Sequence, residues 1–123
     1  MRAIVTLLAL GCALVAHATL WGGDHVELET TEAGARIEFD CAHGTIDAAL
    51  TPDAQGAFRA AGTFTPERAP GPSRDQAPPT LKATYSGTIE DDRMTLRVDI
   101  DGQDAPRRFT LTRGTHGALR KCK

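Results

Sequence analysis

The residues best suited to chemistry in this chain are two cysteines, Cys41 and Cys122, and four polar residues near the first of them or near the N-terminus: Asp24, His25, Asp40 and His43. Cys41, His43 and Cys122, with His25 as a fourth ligand, could hold a metal. The C-x-H spacing is not one of the common zinc patterns, so a disulfide between Cys41 and Cys122 is the favoured reading. Such a bond closes a loop of about 80 residues, which the chain-entropy treatment values at roughly 4.5 kcal/mol as an upper figure. Trp21-Gly22-Gly23-Asp24-His25 offers a second arrangement, with Asp24 orienting the imidazole of His25. The favoured alternative is structural: Trp21 plugs one end of a barrel and the glycines let the chain cross beneath it. Asp40 and His43 approach Asp24 and His25 if the first two strands form a hairpin.

Enzyme templates are missing. The chain has no G-x-S-x-G, H-E-x-x-H or C-x-x-C motif and no phosphate-cradling glycine loop. Asp99-Ile100-Asp101-Gly102-Gln103-Asp104 begins like a calcium loop, but its glycine comes too early and no glutamate follows at the twelfth place. Ser73 and Ser86 have no histidine placed for nucleophilic catalysis. The expectation is a protein without catalytic residues, metal or cofactor.

The N-terminus indicates the compartment. Arg2, an apolar run from Ala3 to Val15 and the Ala16-His17-Ala18 cleavage pattern form a secretory signal over 1–18, too short for a membrane span, and no second hydrophobic run follows. Ala9-Leu10-Gly11-Cys12 has a small residue before cysteine, as a lipoprotein signal would, but Leu8 falls one place too early; lipid anchoring at Cys12 is the minor alternative. Cleavage after Ala18 leaves Cys41 and Cys122 in an oxidising, periplasmic or secreted setting.

The remaining 19–123, about 105 residues, suit a single domain. Net charge is −2, or −3 without Arg2, which gives no support to nucleic-acid binding. Asparagine is absent, so there is no glycosylation sequon. Charge is segregated: Asp24, Glu27, Glu29, Glu32, Glu38 and Asp40 early, Arg107, Arg108, Arg113, Arg120, Lys121 and Lys123 late. Pairing of these segments across strands is favoured, and a basic patch for an anionic partner is the functional alternative.

Alternation with period two runs through the chain and predicts strands over 26–30, 35–41, 46–50, 58–64, 81–89, 94–100 and 109–112, with a last short strand ending at Cys122. Ala42-His43-Gly44 is predicted to turn. The segment 66–80 holds five of the seven prolines and is predicted to be an exposed loop. Eight sequential antiparallel strands with one apolar face hide it best as an up-and-down barrel; a β-sandwich is the alternative. Gly62 and Gly87 fall at inward positions, where a small barrel bends. About eighteen inward apolar side chains predict a filled interior.

The runs W-G-G-D-H at 21–25, F-D-C-A-H-G-T-I at 39–46, Y-S-G at 85–87, M-T-L at 94–96, F-T-L-T-R-G at 109–114 and K-C at 121–122 resemble a family of small exported bacterial proteins. The resemblance implies an exported bacterial domain and nothing about chemistry. A looser likeness joins Phe39-Asp40-Cys41-Ala42-His43-Gly44 to the periplasmic inhibitors of C-type lysozyme, which are compact β-barrels with a C-terminal disulfide. Their later S-G-x-R-Y element is absent, so no inhibitory residue carries over.

The expected function is therefore a monomeric, non-enzymatic binding module of the bacterial envelope that contacts an envelope or secreted protein, chiefly through 66–80. The alternatives are an inhibitor of a lysozyme-like hydrolase and a metal-binding protein using His25, Asp40 and His43.

Overall fold

A computed structural model describes residues 18–67 and 79–122. It contains eight strands, β1 (Leu20–Gly23), β2 (Val26–Thr30), β3 (Ala35–Phe39), β4 (Ala42–Ile46), β5 (Ala57–Pro66), β6 (Leu81–Glu90), β7 (Arg93–Ile100) and β8 (Arg107–Arg113). Each pairs antiparallel with the next, and β8 returns to β1, giving a closed up-and-down barrel. Closure leaves no sheet edge to template pairing with another chain.

The interior is made by the alternation itself. Val26 and Leu28, Ile37 and Phe39, Phe58 and Phe64, Tyr85, Met94, Leu96, Val98 and Leu111 all turn inward and are buried, and no charged residue joins them among the described residues. Seventeen buried apolar side chains fill the barrel. Tyr85 lies across this interior and donates its hydroxyl to the Thr63 carbonyl at 2.6 Å. Two glycines make the room. A Cβ at Gly44 would strike the Tyr85 hydroxyl, and one at Gly62 would come within 2.9 Å of the Tyr85 ring.

Gly44 therefore belongs inside a strand, and the turn expected at Ala42-His43-Gly44 lies two residues earlier, at Asp40-Cys41. Ala48 and Leu50 consequently fall beyond β4, which ends at Ile46. Trp21-Gly22-Gly23, expected to precede the first strand, is itself β1. The last short strand is absent: residues 114–122 form a strap with one isolated parallel bridge, Asp24 to Ala118. The expected number of strands stands, but one is gained at the start and one lost at the end.

The strap has a physical reason. Closure of the barrel rests on only two register pairs between β1 and β8, Trp21 with Arg113 and Gly22 with Thr112. The strap runs over the outer face of this seam. Ala118 N–H donates to Gly23 O at 3.0 Å, and His25 N–H donates to Ala118 O at 2.8 Å. Gly22 permits the approach, since a Cβ there would collide with the backbone of Thr115, His116 and Gly117. The strap ends at the β3–β4 turn, where Cys41 and Cys122 are bonded with Cα atoms 4.8 Å apart. The disulfide thus pins a strap rather than a final strand.

The expected signal over 1–18 and most of the proline-rich segment 66–80 lie outside the described residues; Pro66 itself closes β5. Among the described residues no helix is long and apolar enough to cross a membrane.

Candidate functional site

The polar residues singled out by sequence gather where the β1–β2 and β3–β4 turns meet the end of the strap. His25 and Cys41 both adopt positive φ, 69° and 54°, at these turns, a conformation that ordinarily favours glycine or asparagine. Cys41 is held there by its disulfide and His25 by its backbone bond to the strap.

Each histidine among the described residues is bound through Nδ1 to a carboxylate. His25 pairs with Asp40 at 2.5 Å, His43 with Glu67 at 2.7 Å and His116 with Glu27 at 3.0 Å. The partner of His25 is therefore Asp40, not its sequence neighbour Asp24, whose backbone instead bridges to the strap. His25 and His43 do not converge on one point, because Glu67 draws His43 to the β5 side. Among the described residues no three His, Cys, Asp or Glu side chains form a metal-holding group. Trp21 lies away from all of these on the inward face of β1, buried, with the Arg113 guanidinium 4.8 Å from its ring centroid.

The carboxylates tie the strap as well as the histidines. Asp40 accepts from the Arg120 N–H at 2.6 Å, and this bond first, with His25 second, holds its carboxyl below the ordinary range despite some desolvation. Glu27 accepts from Gly117 N–H at 3.1 Å and from His116, and is lowered for those reasons in that order. Lys121 reaches Glu38 at 2.8 Å, Glu67 at 3.0 Å and the carbonyls of Phe39 and Ala42, both at 3.0 Å. Partial burial works against its charge, but Glu38 and Glu67 outweigh this and raise its pKa. For Glu67, desolvation pushes the other way and is overcome by His43 and Lys121, so its carboxyl is lowered.

Sequence reasoning missed Glu67 and His116; it matched the acidic segment of Glu27 and Glu38 to the basic segment of Arg120 and Lys121 without placing them beside the histidines, and the Lys121–Glu38 pair is one such match. One signal was available: if Cys122 bonds Cys41, its neighbour Lys121 must lie within reach of residues 38–42. Ser86 sits on β6, in register with Arg59 and Arg97 and away from the histidines; Ser73 lies outside the described residues. The bonds of this network fasten the strap to β2 and to the β3–β4 turn.

A second feature lies on another wall. The long strands β5 and β6 and their neighbour β7 form an open outer groove of about 790 Å³, lined by Asp47, Thr63, Lys82, Thr84, Asp99 and Gln103 among others. It holds hydroxyls, an amide and carboxylates without an aromatic ring. No family model, curated protein or solved structure matches the sequence significantly.

Proposed function

We propose that this chain is an exported, non-enzymatic binding module of the bacterial envelope that engages its partner with the outside of the barrel. The observation that carries the reading is the filled interior: seventeen buried apolar side chains occupy the space in which a barrel would hold a small ligand. Recognition then falls to the outside of the barrel, where the β5–β7 groove is one candidate surface and the segment 66–80, expected from its prolines to be an exposed loop, is another. A disulfide and a carboxylate-tied strap suit an oxidising compartment, where the seam must last without repair.

The test uses the chain expressed with its own N-terminus in a bacterial host. Recovery from the envelope with both remaining thiols oxidised, together with retention of an envelope component that excess free protein displaces, is expected. Recovery in the cytoplasm with Cys41 and Cys122 free, or failure to retain any envelope component, overturns the reading.

A further inference from the structure

The two charged ends of the sequence are treated differently by the fold. The acidic side, on β2 and β3, is largely neutralised from within: the strap lays His116 and the Gly117 N–H on Glu27 and Lys121 on Glu38, and Arg36 lies 3.6 Å from Glu29. The basic side is neutralised only in part, with Arg113 near Asp92. Across the outer face of β5 to β8 one cross-strand row reads Arg59, Ser86, Arg97, Arg108, each in register with the next. Arg97 forms a two-pronged pair with Asp99 at 2.9 and 3.1 Å. Among the described residues neither Arg59 nor Arg108 has a carboxylate within salt-bridge distance. Both lie close enough to help hold the Asp99 carboxyl below its ordinary range, behind the dominant bond from Arg97. Arg97 and Arg108 face one another directly, a juxtaposition of like charges that the single Asp99 carboxylate offsets only in part.

The surroundings narrow the anion. The next row is Ala57, Thr88, Thr95, Thr110, and the row on the other side is Ala61, Thr84, Asp99. No outward residue in these rows larger than alanine is apolar, so the patch lacks the buried aromatic or aliphatic anchor on which protein interfaces depend. Guanidinium forks match carboxylates two-to-two, and hydroxyls match sugar hydroxyls. The adjoining groove adds Thr63, Lys82, Gln103 and the carboxylates of Asp47 and Asp101, which suit the neutral hydroxyls of a sugar ring and disfavour anionic groups within the groove itself. A second copy of the chain is a poor occupant, since its acidic face is already engaged by its own strap.

From this placement we infer that the β5–β8 wall binds a carboxylated polysaccharide, its uronate groups on Arg59 and Arg108 to either side of the Arg97–Asp99 pair and its neutral hydroxyls along the threonine rows and groove. This rests on the binding-module reading and supplies its partner. Spanning four strands at about 4.8 Å each, the row is roughly 14 Å long, room for a short run of sugar units.

The experiment compares two double variants that remove equal charge, Arg59→Gln/Arg108→Gln on the row and Arg36→Gln/Arg120→Gln on the acidic side, both checked for an unchanged circular dichroism spectrum. Binding to alginate and polygalacturonate at low salt is measured by calorimetry, with neutral dextran and single-stranded DNA as comparison polymers. Wild-type protein is expected to bind the uronates, with affinity falling as salt rises, and to ignore dextran. The row variant should lose about tenfold or more, with a shallower salt dependence, and the control variant less than about twofold. Absence of uronate binding, equal losses in the two variants, or DNA bound as tightly as the uronates would each overturn the assignment. Wild-type and row variant retaining the same envelope component equally would overturn it while leaving the binding-module reading standing.

Discussion

Replacing Cys41 and Cys122 by serine should leave the barrel assembled but far easier to unfold. The two cysteines are 81 residues apart, and a loop of that length removes about 4.5 kcal/mol of chain entropy from the unfolded state by the polymer estimate. This is a ceiling. In the folded state the strap keeps the bonds of Gly117 to Glu27, Arg120 to Asp40 and Lys121 to Glu38, so the native structure changes little and the effect falls on the unfolded ensemble. A domain of this size has about 5–15 kcal/mol in hand. The double variant should therefore stay folded at room temperature, with a loss of about 3–4.5 kcal/mol and a melting midpoint lower by roughly 15–25 °C. Trp21 is the sole tryptophan and is buried beside the seam, so its fluorescence in urea reports closure directly. Wild-type protein, confirmed as oxidised, and the variant would be unfolded side by side. A difference below about 1 kcal/mol would refute the reasoning, because the bond would then remove little entropy from the unfolded chain.

Three further outcomes follow from the same architecture. Gly22→Val should cost about 2 kcal/mol or more in thermal unfolding, since its side chain would occupy the path of Thr115 to Gly117; a neutral result would mean the strap can pass elsewhere. The amide signals of Gly117 and Arg120 should shift together in acid while the disulfide stays intact. Glu27 and Asp40 have lowered folded values, so their contribution is complete above the ordinary carboxylate range and disappears as pH falls through those lower values, whereas the raised value of Lys121 keeps its contribution until strongly alkaline pH. Signals unchanged into strong acid would contradict this. Tyr85→Phe should destabilise by about 1 kcal/mol through loss of the bond to Thr63, measured by urea unfolding; Gly62→Ala should cost more, because the added Cβ meets both the Tyr85 ring and the Thr45 carbonyl.

The barrel itself was legible where the alternation was uninterrupted. From Leu81 to Ile89 and from Met94 to Ile100 every second residue is apolar or small, and a one-residue slip would turn the whole set outward, so the pattern determines both strand and face. Glycine broke the reading twice. Gly22 and Gly23 weaken the strand propensity that Trp21 supplies; the segment is a strand because β2 supplies four register partners on one side and β8 two on the other. Gly44 reads as a turn residue but is an inward strand position kept bare by a hydroxyl forty-one residues away in sequence, that of Tyr85. Both glycines are explained by what crosses them, which local sequence does not contain.

The polar site was legible only as a set of residue types, and the reason is geometric. Asp24 and His25 are neighbours in sequence, and proximity favours pairing them. The tight β1–β2 turn, with His25 at positive φ, sends the imidazole to the next hairpin instead, where Asp40 waits beside the disulfide. Every carboxylate–histidine pair in the structure is made this way, between residues 15 to 89 positions apart. The pair of His116 with Glu27 is set by the route of the strap, and that route is set by two things: a glycine that lets it cross β1 and a cysteine that anchors its end. On β8, Arg113 reaches Asp92, while Arg108 has no carboxylate within salt-bridge distance among the described residues. The strap carries its own histidine and lysine to the acidic strands, so the early acids and late bases that sequence reasoning matched to one another are only partly partners. Arg108 is left facing Arg97 across an outer wall with no acid of the first strands within salt-bridge distance of it. His116 and Lys121 of the strap thus meet the acids of β2 and β3, Arg97 and Arg113 meet acids near their own strands, and of the outer row Arg59 and Arg108 have no carboxylate partner among the described residues.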